Sequence, residues 1–242
     1  MKNYKLTIQY DGTDYSGWQY QLNAPSIQKE IQDAIKTILK EEIKIIGSGR
    51  TDAGVHALGQ VANFLTDAKI DTFKFKHSLN ALLPNDIAVL EMEEVSDTFN
   101  SRFDAIKRSY IYLITNHKSP FYQRYSFQYY KELNCKKLNQ LSNSFIGEKD
   151  FSSFCRTKTE TDNKVCIVYD AHWRTSGGMT VFFIEGNRFL HGMVRSIVGT
   201  LLNALKNDFE NDYINEIFAL KNREEADEAV PAKGLFLFKV KY

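Results

Sequence analysis

The amino-acid sequence predicts an α+β protein made of two ferredoxin-like βαββαβ halves on a mixed, mainly antiparallel sheet with helices packed against it. Three observations predict this class. Tyr4, Leu6, Ile8 and Tyr10 alternate with Lys5, Thr7 and Gln9, the period-two pattern of a half-buried strand. Ile27, Ile31, Ala34, Ile35, Ile38 and Leu39 recur at the spacing of one helix face. The same succession of strand and helix patterns then recurs in the second part of the chain.

In the first half, the opening strand runs into Asp11-Gly12-Thr13-Asp14-Tyr15-Ser16-Gly17-Trp18-Gln19, a turn-rich loop. Ser26 follows Pro25 and is placed to cap the first helix. Ile43 to Ile46 reads as a short strand, and Val61 to Leu65 as its return after a glycine-rich loop. A helix is expected from about Phe73 to Leu82, ended by Pro84, and a strand from Ile87 to Val95. In the second half, Ala105 to Thr115 reads as a strand, and Cys135, Leu138, Leu141 and Phe145 mark a helix stopping near Gly147. Val165 to Trp173 alternates, Ser176-Gly177-Gly178 turns, and Met179 to Glu185 returns as a hairpin. A long helix is expected from Arg188 to Leu205, a shorter one from about Tyr213 to Leu220, and a last strand from Leu235 to Val240. The division falls near Ser101 to Ala105, giving regions 1–104 and 105–242. No linker composition marks it, so the halves are expected to share a continuous interface.

Composition narrows the class. The chain has 242 residues, 13% of them aromatic, enough for a sizeable core. No apolar run approaches the ~18 residues of a membrane span, and the N-terminus enters strand pattern at once rather than a signal peptide. Cys135, Cys155 and Cys166 form no C-x-x-C pair, which suits a reducing cytoplasm and argues against structural zinc. The formal net charge is only +1. Its distribution is uneven: Arg102, Lys107, Arg108, Lys118, Arg124 and Lys131 face Asp104 alone, whereas Asn207 to Glu228 is strongly acidic. Such strips are either solvated faces or a polarised surface.

The chemistry concentrates in Gly47-Ser48-Gly49-Arg50-Thr51-Asp52-Ala53-Gly54-Val55-His56-Ala57. Glycines allow tight turns and close approach of another chain segment. Asp52 lies two residues after Arg50, and a nearby cation favours the ionised carboxylate, a competent nucleophile. The spacing is neither G-x-x-x-x-G-K-[ST] nor G-x-G-x-x-G, because Gly54 lies five past Gly49, so both nucleotide-loop readings fail. His56 has no metal-ligand partner at i+4 and reads as a packed or capping residue.

Gly-Arg-Thr-Asp-Ala-Gly-Val-His-Ala closely resembles the active-site motif of the tRNA pseudouridine synthase A family. The resemblance extends to Tyr-Asp-Gly-Thr-x-Tyr-x-Gly-Trp-Gln from Tyr10, to Arg108-Ser109-Tyr110-Ile111-Tyr112, to Gly186 through Gly199, and to Pro231-Ala232-Lys233-Gly234-Leu235. It thus covers nearly the whole chain, and it implies the pseudouridine synthase fold. It makes Asp52 the catalytic nucleophile, with Arg50 holding the RNA and the flipped nucleotide. Tyr110 becomes the tyrosine that stacks on uracil, and Arg195 the arginine that pairs with the aspartate. Alternation alone does not choose between Tyr110 and Tyr112, which share a strand face. Arg102, Lys107, Arg108 and Lys118 are the candidate phosphate contacts, and Arg50 also counts among the substrate-binding residues.

The implied reaction is isomerisation of uridine to pseudouridine in the tRNA anticodon stem-loop, at positions 38 to 40, by a cytoplasmic homodimer. No cofactor or metal is expected. Attack on the ribose, attack on the uracil ring and removal of a ribose proton all remain open to Asp52. Two other classes compete. A tRNA-binding module without turnover would have no use for Asp52, and a hydrolytic glycosidase normally uses two carboxylates where this loop offers one.

Overall fold

The computed structural model describes residues 1–156 and 162–242. Along the chain run β1 (Lys2–Tyr10), α1 (Ile27–Leu39), β2 (Ile46–Gly47), β3 (His56–Thr66), α2 (Thr72–Leu82) and β4 (Ile87–Val95). They are followed by β5 (Lys107–Thr115), β6 (Phe127–Gln128), α3 (Cys135–Ser142), β7 (Gly147–Asp150), β8 (Val165–Ser176) and β9 (Met179–Gly186). The chain ends with α4 (Met193–Lys206), α5 (Asn211–Leu220) and β10 (Leu235–Lys241). It forms two compact units, one of residues 1–106 with 236–242 and one of residues 107–235.

In the first unit the strands lie in the order β4-β1-β3, with β2 on the side of β3 away from β1, and all three pairings are antiparallel. That is the order a βαββαβ chain produces. The closing strand returns to this unit and pairs parallel to β3, Phe236 opposite His56 and Leu237 opposite Ala57. Tyr4, Leu6, Ile8 and Phe64 form the buried sheet face, while Ile27, Ile31, Ala34 and Ile35 of α1 and Phe75 and Leu79 of α2 are also buried. Each such aliphatic side chain removed from water contributes about 1.5–3 kcal/mol.

The second unit orders its strands β5-β9-β8-β7, all antiparallel, with β6 parallel to the end of β5. Its helical side is sealed by phenylalanines. Phe145, Phe151 and Phe154 are fully buried, and all three meet Phe218 with ring centroids 4.8–5.6 Å apart. Among the described residues no helix is long and apolar enough to cross a membrane.

Three local expectations change. Ile43 to Ile45 is not strand, although Ile43 and Ile45 are buried. The Ile45 N–H donates to Gln32 Oε1 at 3.3 Å and its carbonyl accepts from Gln28 Nε2 at 3.0 Å, so side chains of α1 satisfy this backbone instead of a ladder. The long helix starts at Met193, not Arg188, because Gly192 before it takes the left-handed region at φ +77°. Ser26 occupies the N-cap of α1, yet its hydroxyl is buried and makes no hydrogen bond among the described residues. Only its carbonyl serves the first turn, accepting from Lys29 and Glu30. The short strands β6 and β7 were not legible from periodicity.

Phe154→Ala is expected to lower unfolding stability by about 3–5 kcal/mol, because the aromatic cluster around it has no spare side chain to refill the space. Urea titration followed by circular dichroism measures this, and a loss under about 1 kcal/mol would contradict the packing described.

Candidate active site

The loop joining β2 to β3 is fixed at both ends before it presents any chemistry. The Ser48 N–H donates to Val61 O at 2.7 Å, and its hydroxyl donates to Gln60 Oε1 at 2.6 Å. Gln60, fully buried, turns its amide Nε2 to Gly49 O at 2.9 Å. Arg50 follows, exposed. Thr51 is buried again: its hydroxyl lies 2.8 Å from the Tyr10 hydroxyl, and its carbonyl accepts from Trp18 N at 3.1 Å. Asp52 is half-buried. Its carbonyl accepts from Val55 N at 3.1 Å, closing a turn over Ala53 and Gly54. Gly54, at φ +74°, supplies the positive φ that the third position of such a turn requires.

The Asp11–Trp18 loop lies against this turn. A Cβ on Gly12 would stand 2.0 Å from Val55 O, and one on Gly17 would stand 2.3 Å from Thr51 O, with Gly17 itself at φ +98°. Gly54 N donates to Tyr15 O at 3.3 Å. His56, just past the turn, is buried and stacks on Phe236 with centroids 4.6 Å apart. Its Nδ1 lies 3.1 Å from Gly12 N and 3.0 Å from Asp11 Oδ1. A neutral ring accepts from the amide there, and a protonated ring donates to the carboxylate. Asp11 Oδ1 also accepts from the Thr13 N–H and hydroxyl, at 2.9 and 2.6 Å. His56 is therefore a bracket between the two loops, in line with the packed role expected of it.

Arg102, also in this unit, is exposed on the turn after Asn100, its guanidinium 5.4 Å from the Phe103 ring centre. The second unit holds the other candidates. Tyr110 and Tyr112 are both buried on β5, but their surroundings differ. Tyr112 is wholly enclosed and its hydroxyl donates to Pro231 O at 2.8 Å. Burial pushes its phenol well above the ordinary range, partly opposed by the nearby charge of Arg195. Tyr110 keeps 8% of its surface exposed and sets its ring edge-on to Phe189, centroids 5.1 Å apart. Tyr112 is thereby occupied as a core residue, and Tyr110 is the one of the two that keeps some exposure.

Arg195 sits on the first turn of α4, where its Nε donates to Val230 O at 2.6 Å and Val230 N returns a bond to Arg195 O at 3.3 Å. Gly199 lets the 228–230 segment come this close, since a Cβ there would stand 2.1 Å from Glu228 O. Lys107 is spoken for by Glu185 at 3.2 Å and lies 4.5 Å from the Tyr169 ring centre. Arg108 donates through Nη1 to Asn187 O at 2.9 Å, bracing the turn after β9. Lys118 is exposed. Sequence reasoning missed the supporting set: Tyr10, Thr51, the Ser48–Gln60 pair and Asp11–His56. The only advance signal was the Asp-Gly-Thr and Gly-Trp pattern of the loop after β1.

Comparison with known proteins agrees with this architecture. A family profile described as tRNA pseudouridine synthase matches residues 6–104 and 141–242. The chain is 43% identical over 244 residues to tRNA pseudouridine synthase A of Caldicellulosiruptor saccharolyticus, covering all of both chains. It is 42% identical to the protein of that name from Brachyspira hyodysenteriae, over 98% of this chain and 96% of that one. To the one from Clostridium acetobutylicum it is 40% identical over the full length of both. The fold and loop thus define an RNA-modifying enzyme of the isomerase class. The chain belongs to the tRNA pseudouridine synthase family.

Gly17→Ala places a methyl group into Thr51 O in a backbone region that L-residues rarely adopt. A cost of about 1–3 kcal/mol is expected, with faster amide exchange across 51–55 in hydrogen-exchange mass spectrometry. Unchanged exchange in that segment would show that the two loops are not mutually braced.

Proposed function

We propose that the protein is a tRNA pseudouridine synthase that isomerises uridine in the anticodon stem-loop, at positions 38 to 40. The observation that carries this reading is the Arg50-Thr51-Asp52 segment. It combines the family's motif with a half-buried carboxylate on a turn that glycines and buried hydroxyls hold still. The reaction breaks the N1–C1′ glycosidic bond, turns the uracil, and forms a C5–C1′ bond, while C5 loses a proton and N1 gains one. It is balanced without any oxidant, reductant or co-reactant.

Asp52 acts as the nucleophile. A uridine within folded RNA has to leave its stack to meet it. Tyr110 stacks on the extruded uracil and is positioned to assist proton loss from C5. Arg195 supplies the counter-charge for Asp52, and its bond to the Val230 carbonyl supports this role by fixing the guanidinium. Arg50 and Arg102, both exposed, take RNA phosphates. Lys107 and Arg108 contribute less, because Glu185 and the Asn187 carbonyl already engage them. The enzyme works in the cytoplasm as a homodimer, as the family resemblance implies, and its three free cysteines suit a reducing compartment.

The deciding experiment incubates the purified protein with unmodified tRNA transcripts and maps pseudouridine. Product at positions 38 to 40 is expected; free uracil would point to a hydrolase, and binding without product to a module. Asp52→Asn should abolish turnover while tRNA affinity changes by less than about threefold, well under the 1.4 kcal/mol of a tenfold effect. Retained turnover in that variant would defeat the nucleophile assignment. Tyr110→Phe keeps the ring and should keep affinity, whereas Tyr110→Ala should lose about 1–3 kcal/mol of it.

A further inference from the structure

The second unit contains a cationic pocket that none of the roles above uses. It has a volume of about 220 Å³, and Arg156, Lys164, Lys221 and Arg223 line it together with one carboxylate among the described residues, Glu224. The pocket falls within the most acidic stretch of the sequence, Asn207 to Glu228, yet presents that stretch's two basic residues. Two of its cations are fixed by neighbours in the same unit. Arg223 donates through Nη1 to Ala226 O at 2.7 Å and through Nη2 to Asp227 O at 3.1 Å, main-chain carbonyls that orient a guanidinium and carry no charge. Lys221 is 3.0 Å from Asp150. Asp150 takes Lys221 on Oδ2 and the Ser152 hydroxyl and N–H on Oδ1, at 2.6 and 3.0 Å, so among the described residues the four cations stand against two carboxylates, Glu224 and Asp150.

Placement says what such a pocket would hold. The Arg156 N–H donates to His191 O at 3.0 Å, one residue before Gly192, the N-cap of α4. The pocket thus adjoins the turn that delivers Arg195. We propose that it is a phosphate subsite that takes a backbone phosphodiester of the RNA whose uridine is modified. This rests on the reading of the protein as a tRNA-modifying enzyme. A phosphodiester brings one negative charge and two free oxygens, which the lysines and guanidinium groups around a cavity of this size can bracket. Contacts of this kind carry no base information; they fix register and orientation.

The test compares wild type with Lys164→Gln, Lys221→Gln and the double variant, with Lys69→Gln, an exposed lysine of the first unit, as control. Affinity for an unmodified tRNA transcript is measured by fluorescence anisotropy across a potassium chloride series, and pseudouridine is mapped in parallel. Each pocket lysine should lower the slope of log affinity against log salt by about 1, and the double variant by about 2. The control should leave the slope unchanged, and Lys164→Arg should restore it. Thermal melting of every variant establishes that it is folded.

Inorganic phosphate, titrated at constant ionic strength, separates the two sources of the ligand. Competition with tRNA that disappears in the double variant supports the subsite. Phosphate binding lost in the double variant, with tRNA affinity and slope unaltered, would overturn the RNA assignment in favour of free phosphate. Unaltered slopes while wild type still forms pseudouridine would overturn the pocket and leave the proposed activity standing. Absence of pseudouridine from wild type would overturn the activity, and the salt slopes would still report on the pocket.

Discussion

The chemistry of the first unit depends on one close approach between two loops, residues 11–18 and 51–55. Backbone comes so near to backbone there that side chains on Gly12 or Gly17 have no room. The contact is then filled by hydrogen bonds from Trp18 N and Gly54 N and by the Tyr10–Thr51 hydroxyl pair, and closed by the His56 ring. Each bond contributes about 1 kcal/mol net, which offsets part of the entropy lost in fixing a short turn that would otherwise sample many shapes. The main chain of Asp52 is consequently held in place by the turn that its carbonyl closes with Val55 N.

The second unit uses a different device for its cations. Arg195, Arg108 and Arg223 each donate to main-chain carbonyls, at Val230, Asn187, and Ala226 with Asp227. A carbonyl dipole fixes the planar guanidinium without cancelling its charge, whereas a carboxylate does both. Lys107, facing Glu185, shows the contrast. The same logic separates the two tyrosines of β5. The Tyr112 hydroxyl is consumed by Pro231 O, while Tyr110 packs edge-on against Phe189 and retains some exposure. Strand alternation gave both residues the same face, and only the partners across that face distinguish them.

Periodicity made most of the fold legible. The α1 stripe, the β1 alternation and the Ser176-Gly177-Gly178 turn lie where the pattern puts them, because burial on one face dictates spacing directly. What stayed hidden was backbone satisfied by side chains. Ile45 looks like strand by composition, yet Gln28 and Gln32 of α1 take its hydrogen bonds. The buried polar set of Asn3, Asn63 and Ser101 likewise gave no periodic signal. Asn63 donates to Asn3 at 3.0 Å and accepts from Ser101 N at 2.9 Å, links that join positions far apart in sequence. At the site, the motif named Asp52 and Arg50, but not Tyr10 or Gln60. Their roles arise from contacts between loops rather than from spacing along one of them.

A chain of net charge +1 is an unpromising ligand for a polyanion only if charge is averaged over the molecule. Screening at physiological salt confines the field of each side chain to about 8 Å, so a phosphate responds to the cations beside it and not to the total. Exposed arginines such as Arg50 and Arg102, and a pocket holding Arg156 and Lys164 beside α4, offer positive charge at chosen points. The acidic residues between Asn207 and Glu228 add negative charge around these points. A uniformly basic surface would bind tRNA in many registers. Local cations set among acids trade affinity for register, because phosphate contacts fix orientation and carry no base information.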